Sequence, residues 1–363
     1  MKHNVVVYIG RFQCPHRGHI GTIRSGLDQA NRLIIVIGSH NTPRDIVNPW
    51  TAAERESMIR MCFNEADNSR ISFVYAENRL YSNSFWARNV ELLVNEEIAT
   101  FNFVNPTIAI IGNGKGDEQT DKYINLFKQW KRVKGECISI ADTPLHATAI
   151  RKSLFTGKME EIKPLVEPVI YEYLHDFITT ETFANLKYEY DFHITEEQKY
   201  YPCPYNNYNR YCADAVVIQS GHVLLIQRIK APGRGLWALP GGHVEQDETA
   251  FETSLRELDE ETSIKMQPEV LERCVFTEHT FDHPERSLVG RLTEKRVRAV
   301  TRAFGYKLED ARDFPKIAAG DDAGDARWYS FAEIETMRDK LFEDHADIIE
   351  YMLARVPESK RNA

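Results

Sequence analysis

Two histidines lie three residues apart, shortly after an apolar run near the start of the chain. The run Val5–Ile9 is followed by Gly10, and His16 and His19 flank Gly18. Such a run predicts a strand buried on both faces, and the residues from Gly18 onward are compatible with a helix. Helix N-terminal amides attract phosphate, and imidazoles can donate hydrogen bonds to phosphate oxygens. The segment therefore predicts a phosphate site at a strand–helix junction.

Three carboxylates form a second group, far from the histidines in the sequence. Glu257, Glu260 and Glu261 have the i, i+3, i+4 spacing that a helix places on one face. Because like charges at this spacing repel, a divalent cation between them would be stabilising, and all-oxygen ligands favour Mg²⁺ or Mn²⁺ over zinc. A solvated glutamate-rich helix would show the same triplet. The fixed spacing from Gly242 and Glu248 is what argues for a metal site.

The composition indicates a folded chain of two domains. The chain has 363 residues, of which 42% are hydrophobic and 27% charged, so disorder throughout is excluded. Its formal net charge of −9 predicts no general affinity for DNA or for anionic membranes. We expect no membrane-spanning helix and no secretory signal. The 6 cysteines include no Cys-x-x-Cys pair, which argues against a zinc knuckle or a disulfide framework and suits a reducing cytoplasm.

The first half of the chain alternates predicted strands and helices. Strands are expected at 5–9, 33–37, 71–76 and 107–111, and helices at 18–31, from Thr51 (with Glu54 as a capping box) and at 83–98. This alternation predicts an α/β fold with a Rossmann-like, doubly wound parallel sheet. Its ligand should lie at the carboxyl ends of the strands. We assign this domain to residues 1–185.

A stretch rich in Tyr, Pro and Asn at 186–210 shows neither strand nor helix periodicity and predicts a packed linker. Beyond it, two apolar runs flank Ser220-Gly221 and predict a β-hairpin. Further elements are expected at 249–262 (helix), 296–304 (strand) and 331–355 (helix). These predict a second domain with a mixed sheet between helices, at residues 211–363.

The histidine segment resembles the His-x-Gly-His motif of the nucleotidyltransferase superfamily. The motif positions are occupied by Gly10, Phe12, His16, Gly18 and His19, whereas Cys14 stands where the motif usually has Pro. The resemblance implies that His16 and His19 are catalytic. It also implies that ATP phosphates are bound by Gly10, Arg11, Phe12 and Gly18.

A second element of that superfamily resembles the segment Thr148-Ala149-Ile150-Arg151. Thr148 is expected to cap a helix and to bind ATP. Arg151, in the first helical turn, would hold the phosphates as a catalytic cation. His146 and Ala147 replace serines that are usual in this element.

Two further segments look like those of nicotinamide mononucleotide (NMN) adenylyltransferases of the archaeal-like type: NPWTAAER at 48–55 and NSFW at 83–86. The resemblance implies that Trp86 stacks on the nicotinamide ring and that Asn83 orients it. A core role for Trp86 is the alternative. Residues 112–117 would contact the nucleotide. The NMN phosphate would attack the α-phosphorus of ATP, helped by positioning, charge neutralisation and Mg²⁺, without a general base.

The carboxylate segment resembles the Nudix box, G-x5-E-x7-R-E-U-x-E-E-x-G-U, at all positions but one. Ser263 stands where a glycine ends the helix at positive φ, at a cost of about 1 kcal/mol. The resemblance implies catalysis by Arg256, Glu257, Glu260 and Glu261, of which the three glutamates bind the metal. Arg256 would orient the glutamates, and Glu248 and Glu278 are both candidates for the general base.

Residues 281–287, 320–323 and Trp328 look like those of Nudix proteins directed to ADP-ribose, which would be cleaved to AMP and ribose 5-phosphate. The chain as a whole resembles bifunctional NMN adenylyltransferase/Nudix hydrolases. Expected partners are ATP, NMN or NAD, and ADP-ribose, without nucleic acid or membrane, and a homo-oligomer is compatible with the sequence. Two alternatives stay open: transfer of an adenylyl or cytidylyl group to another acceptor, and a regulator that senses ADP-ribose.

Overall fold

The computed structural model describes residues 2–112, 123–135, 139–140, 143–198, 207–286, 296–320 and 323–357. The chain divides into two compact units, Met1–Tyr188 and Glu189–Ala363. Each unit has its own β-sheet and its own hydrophobic cores. Among the described helices, none combines the length and the apolar character needed to cross a membrane.

The first unit is built on a five-stranded parallel sheet. Its strands are β1 His3–Gly10, β2 Ala30–Ile37, β3 Ile71–Tyr75, β4 Ile108–Gly112 and β5 Lys131–Lys134, and a separate pair is formed by β6 Ser139–Ile140 and β7 Thr143–Pro144. The spatial order β3-β2-β1-β4-β5 confirms the doubly wound sheet. Strand β1 is central, with Val7 in one core and Val6 in the other, so it is buried on both faces as predicted.

The helices of this unit pack on both faces of the sheet. They are α1 Arg17–Gln29, α2 Ala52–Arg60, α3 Glu65–Asn68, α4 Asn83–Ala99, α5 Ala147–Phe155, α6 Met159–Ile162, α7 Pro168–Phe177 and α8 Glu181–Gln198, the last extending into the second unit. The capping box of α2 is confirmed, since the Thr51 N–H donates to the Glu54 carboxylate over 2.7 Å. Helix α1 ends at Gln29, two residues before the prediction, because Ala30 already pairs with β1.

Helix α8 occupies much of the segment predicted to be a linker. The prediction that 186–198 lacks a regular element is wrong. Leu186, Tyr190 and His193 are buried at the spacing of one helix face. The tyrosines and polar residues between them hide this period in the sequence. Residues 199–206 lie outside the described part of the chain.

The second unit contains a seven-stranded mixed sheet between helices, as predicted. Its strands are β8 Asn207–Gln219, β9 His222–Arg228, β10 Trp237–Ala238, β11 Gly241–His243, β12 Val275–Phe281, β13 Arg296–Lys307 and β14 Ala323–Ser330. Its helices are α9 Ala250–Thr262, α10 Pro268–Cys274, α11 Phe331–Thr336 and α12 His345–Leu353. Strand β8 is parallel to β13, and the other pairs are antiparallel. Helix α9 covers one face and α12 the other.

The single helix predicted over 331–355 is wrong, because the chain leaves the helical path between α11 and α12. A 3₁₀ turn at Arg338–Lys340 leads to Leu341, which forms a bridge with Trp237 of β10. The next residue, Phe342, donates its N–H to the Trp237 carbonyl over 2.8 Å. Pairing with the sheet edge therefore replaces helical hydrogen bonds at this point.

Helix α9 ends as the sequence predicted. Ser263 has a φ of 51° in the left-handed region, and its N–H donates to the Asp259 carbonyl over 2.8 Å. Side chains with a Cβ are strained in this region, whereas glycine is not.

We predict that Ser263→Gly stabilises the second unit by about 0.5–1 kcal/mol, since glycine relieves the left-handed strain but has a more flexible unfolded state. Chemical denaturation of the full chain measures the change. Ala354→Gly is the control, because Ala354 ends α12 at a φ of −63°, where glycine brings no relief. An unfolding free energy lowered equally in both variants would contradict the prediction.

Candidate active sites

His16 and His19 form a reciprocal cap at the start of α1. The His19 N–H donates to His16 Nδ1 over 3.3 Å, and the His16 N–H donates to His19 Nδ1 over 3.2 Å. The two rings are stacked, with centroids 3.7 Å apart. Because each Nδ1 accepts a backbone N–H, each neutral ring carries its proton on Nε2. The two imidazole rings therefore lie together at a helix N-terminus.

The loop between β1 and α1 is shaped by the ring of Phe12. Phe12 has a φ of 54° and packs edge-on against His19, with ring centroids 5.1 Å apart. A Cβ on Gly10 would lie 2.8 Å from the Phe12 ring, so glycine is required for this close approach. Arg11 is exposed beside them. Gly18 is buried in the first turn of α1.

Arg55 holds this loop by bonding to backbone carbonyls. Its guanidinium donates to the carbonyls of Arg11 (2.6 Å), Gly38 (2.7 Å), Ser39 (3.1 Å) and Thr51 (3.1 Å). Burial lowers the pKa of Arg55 to about 10. The residue was part of a sequence segment matched by resemblance, but its positioning role was missed, because its partners are carbonyls of any residue type.

Arg151 reaches the same loop from α5. It is buried and donates to the Gln13 carbonyl, and its Nη2 donates to Thr148 Oγ1 over 3.3 Å. Thr148 was predicted to cap α5, but the cap position is His146, and Thr148 lies inside the first turn. The prediction is wrong by two residues because the strand-like backbone of His146 runs directly into the helix, without a side-chain cap.

Gln13 was not named by the sequence analysis. Its side chain donates to the Trp50 carbonyl over 2.8 Å and accepts from the Trp50 N–H over 3.1 Å. The pair of bonds joins the β1–α1 loop to the segment before α2. A buried amide bonded to backbone leaves no signal in a single sequence.

The histidine pair follows β1, beside the point where the sheet order reverses between β1 and β4. Ligands of doubly wound sheets bind at this switch point. Asn83 begins α4 and is exposed, while Trp86 is half-buried with its ring centroid 5.9 Å from that of Phe127. Trp86 thus packs partly on the core and is partly open. Residues 113–117 lie outside the described part of the chain.

In the second unit, Arg256 joins three glutamates. Its guanidinium donates to both oxygens of Glu248, over 2.7 and 3.0 Å. Its Nη1 also lies 2.9 Å from both Glu257 Oε1 and Glu260 Oε2. The bonds from Arg256 lower the pKa of Glu248 to about 2. The predicted orienting role of Arg256 therefore has a geometric basis.

Two consecutive glycines allow carboxylates to lie against the backbone of β11. A Cβ on Gly242 would be 2.1 Å from Glu257 Oε1, so a larger residue at the first glycine of the box would displace this carboxylate. The Gly241 N–H donates to Glu261 Oε2 over 3.0 Å. Burial, with a smaller contribution from the charge of Glu257, raises the pKa of Glu261 to about 8. Burial likewise raises the pKa of Glu257.

This donor set fits a hard divalent cation, because the neighbouring carboxylates Glu257 and Glu261 are desolvated and repel each other. Glu260 lies on the outer side, with 58% of its side chain exposed, bonded to Arg256. Within the described ranges, no three acidic, histidine or cysteine side chains already converge into a complete metal site. The structure thus brings Glu257 and Glu261 towards the glycines and leaves Glu260 apart.

The residues that the sequence analysis associated with ADP-ribose lie in different places: some near the carboxylates, some in the core and some at the surface. Gly320 lies against the end of α9, where its N–H donates to the Glu261 carbonyl over 3.1 Å. Phe281 is fully buried in the core, and Trp328 stacks on Phe314. Glu278 is exposed and paired with Arg302. Ser287 and residues 321–322 lie outside the described part of the chain.

Two buried acidic residues were missed by the sequence analysis. Asp214 of β8 is 6% exposed, and burial raises its pKa to about 7. Asp344 binds Arg286 with bonds of 2.6 and 2.7 Å, which fixes the turn after β12. The available signal was a single acidic residue inside the apolar run Ala213–Ile218.

Comparison with known proteins agrees with this division. The family Cytidylyltransferase-like matches residues 7–134, and the family NUDIX domain matches residues 209–352. A nicotinamide/nicotinic acid mononucleotide adenylyltransferase of Acinetobacter baylyi is 33% identical over 189 residues, which cover 52% of this chain and 94% of that protein.

Solved structures match over almost the whole length. A bifunctional NMN adenylyltransferase/ADP ribose pyrophosphatase from Francisella tularensis, complexed with AMP and a Mn ion, is 29% identical with a TM-score of 0.85. The match covers 97% of this chain and 99% of that one. A second structure of the Francisella tularensis protein gives a TM-score of 0.82 at 28% identity, with the same coverage.

Proposed function

The chain belongs to the nicotinamide/nicotinic acid mononucleotide adenylyltransferases and carries a NUDIX domain, and from this premise we propose the reactions and the residues that perform them. The first half transfers the adenylyl group of ATP to NMN, giving NAD and pyrophosphate. The second half hydrolyses ADP-ribose to AMP and ribose 5-phosphate. We propose that the boundaries of the two halves are 1–185 and 211–363, and that the enzyme works in the cytoplasm with Mg²⁺ at both centres.

The reciprocal histidine cap supports adenylyl transfer most directly. It places two imidazole rings at a helix N-terminus beside the switch point, where a triphosphate would be stabilised. A phosphate oxygen of NMN forms the new bond to the α-phosphorus of ATP, and the bond from that phosphorus to the β-phosphate bridge breaks. Pyrophosphate leaves with the bonding electrons. His16, His19, Arg11 and Arg151 offset the charge that develops.

The acceptor is bound by residues at the start of α4 in this proposal. Trp86 stacks on the nicotinamide ring with its exposed part, while Phe127 packs against the indole with the ring planes at 66°. Asn83, exposed one turn earlier, donates or accepts a hydrogen bond at the carboxamide. The ATP-binding part of the site is formed by Gly10, Phe12, Gly18 and Thr148.

We predict that His19→Ala lowers kcat for NAD formation by 10²–10³-fold, the usual effect of removing one donor to a developing negative charge, about 3–4 kcal/mol. Chromatography of NAD formed from NMN, ATP and Mg²⁺ measures the rate. His175→Ala, which removes an exposed histidine on α7, is the control and keeps the wild-type rate. Undiminished NAD formation in His19→Ala would refute the assignment of the phosphate site.

Trp86→Ala is predicted to raise KM for NMN at least tenfold, because base–aromatic stacking contributes about 1–3 kcal/mol. Steady-state kinetics with each substrate varied in turn should show an unchanged KM for ATP. Trp86→Phe keeps an aromatic face and restores most of the affinity. If both KM values change together with the melting temperature, Trp86 is a core residue and the acceptor site lies elsewhere.

The hydrolytic half depends on the carboxylates around Gly241 and Gly242. Glu257, Glu260 and Glu261 would hold a divalent cation, which would polarise the pyrophosphate and lower the pKa of water. Arg256 orients the glutamates, using the bonds seen in the structure. Water adds to one phosphorus, the bridging P–O bond breaks, and the released phosphate takes the proton.

For the hydrolytic half, we predict that Glu261→Gln reduces AMP release from ADP-ribose by at least 10²-fold and leaves NAD formation intact. The amide has the same shape but removes a carboxylate from the cation site. AMP and ribose 5-phosphate are quantified after incubation with ADP-ribose and Mg²⁺. Glu269→Gln, an exposed change on α10, is the matched control. Wild-type AMP release in Glu261→Gln would exclude this centre.

A further inference from the structure

An acidic side chain outside the Nudix box lies next to its carboxylates. Asp214 sits in β8 with apolar residues on both sides, and its exposed fraction is only 6%. Its Oδ2 oxygen has no hydrogen-bond partner among the described groups. Burying a carboxylate oxygen without a donor is costly, so a purely structural role does not explain the residue.

Asp214 and Glu261 flank the same glycine. Asp214 lies opposite Gly241 in the β8–β11 pair, and a Cβ on Gly241 would be 2.2 Å from Asp214 Oδ1. The Gly241 N–H donates to Glu261 Oε2 over 3.0 Å. With Glu257 against Gly242, three carboxylates surround two residues of backbone.

The nearby cations are engaged elsewhere. Arg286 acts on Asp214 electrostatically, but its guanidinium is bonded to both oxygens of Asp344 and to Thr301 Oγ1, over 2.6 to 2.7 Å. The second cation that acts on it, Arg228, donates from Nε to the Pro232 carbonyl over 2.7 Å. Neither supplies a donor to Oδ2. Oδ2 therefore has no donor within the described part of the chain, and it belongs to a carboxylate that lies against the same glycine as Glu261.

We propose that Asp214 is a further ligand of the divalent cation in the NUDIX centre. This inference rests on the proposed hydrolytic function. Asp214 of β8 then adds a fourth carboxylate to the three of α9, and the bound cation links the end of this helix to the sheet. It also explains why β8 keeps a buried acid opposite a glycine.

The test uses Mn²⁺ alone as the probe and the full chain without nucleotide. Electron paramagnetic resonance of free Mn²⁺ gives the Kd of the site that Glu261→Gln weakens. Asp214→Asn should raise this Kd at least tenfold. Asp259→Asn removes one exposed charge from the outer face of α9 and should leave the Kd unchanged. In the metal-free protein, Asp214→Asn should melt at or above the wild-type temperature, because a neutral amide replaces a buried carboxylate whose Oδ2 has no donor.

Each outcome supports or overturns the role of Asp214 as a cation ligand. A Kd unchanged in Asp214→Asn, with Mn²⁺ binding weakened in Glu261→Gln, overturns the role of Asp214 and leaves the proposed hydrolysis standing. A lower melting temperature with an unchanged Kd assigns Asp214 to the fold and also overturns the proposal. Wild-type protein that binds no Mn²⁺ overturns both the inference and the metal-dependent function. Should Asp214→Asn fail to fold, Asp214→Ser is judged by the same Kd criterion.

Discussion

Both candidate centres depend on arginine side chains that are bonded to the chain's own oxygens, but the oxygens differ in charge. Arg55 donates to four neutral backbone carbonyls, and Arg151 donates to a carbonyl and a hydroxyl. The acceptors in these bonds carry no formal charge, which suits the first centre to anions. Arg256 instead bonds to carboxylates, which limits the repulsion in a centre suited to a cation. Arginine therefore supports an anion site in one unit and a cation site in the other, depending on whether its hydrogen-bond acceptors are neutral or charged.

Structural features that depend only on residues close together in the sequence could be predicted. The burial of β1, the capping box of Thr51 and the left-handed Ser263 each depend on a few neighbouring residues, and all three are confirmed. The link between Arg256 and the glutamates was implied by the resemblance to the Nudix box, whose residues lie close together in the sequence. These features need no knowledge of distant contacts.

The wrong and missing predictions concern features that depend on contacts between residues far apart in the sequence. Helix α8 is stabilised by a few buried residues whose helical spacing is hidden in the sequence by the tyrosines around them. The helix predicted after α11 is interrupted because Leu341 pairs with Trp237. Gln13 and Asp214 matter because of what lies opposite them in the fold. No local pattern marks such residues, apart from an acid inside an apolar run. The roles of the site residues remain predictions for the experiments above.

The two proposed reactions act on the same kind of bond in opposite directions, since one forms a phosphoanhydride to an AMP unit and the other cleaves one. The account requires two separate centres, and one mixture tests this directly. Phosphorus NMR of NMN, ATP, ADP-ribose and excess Mg²⁺ with the full chain follows NAD, pyrophosphate, AMP and ribose 5-phosphate together. The account predicts that each product appears at the rate measured with its own substrates alone. The formation of only one product set, or a rate that changes in the mixture, would contradict it.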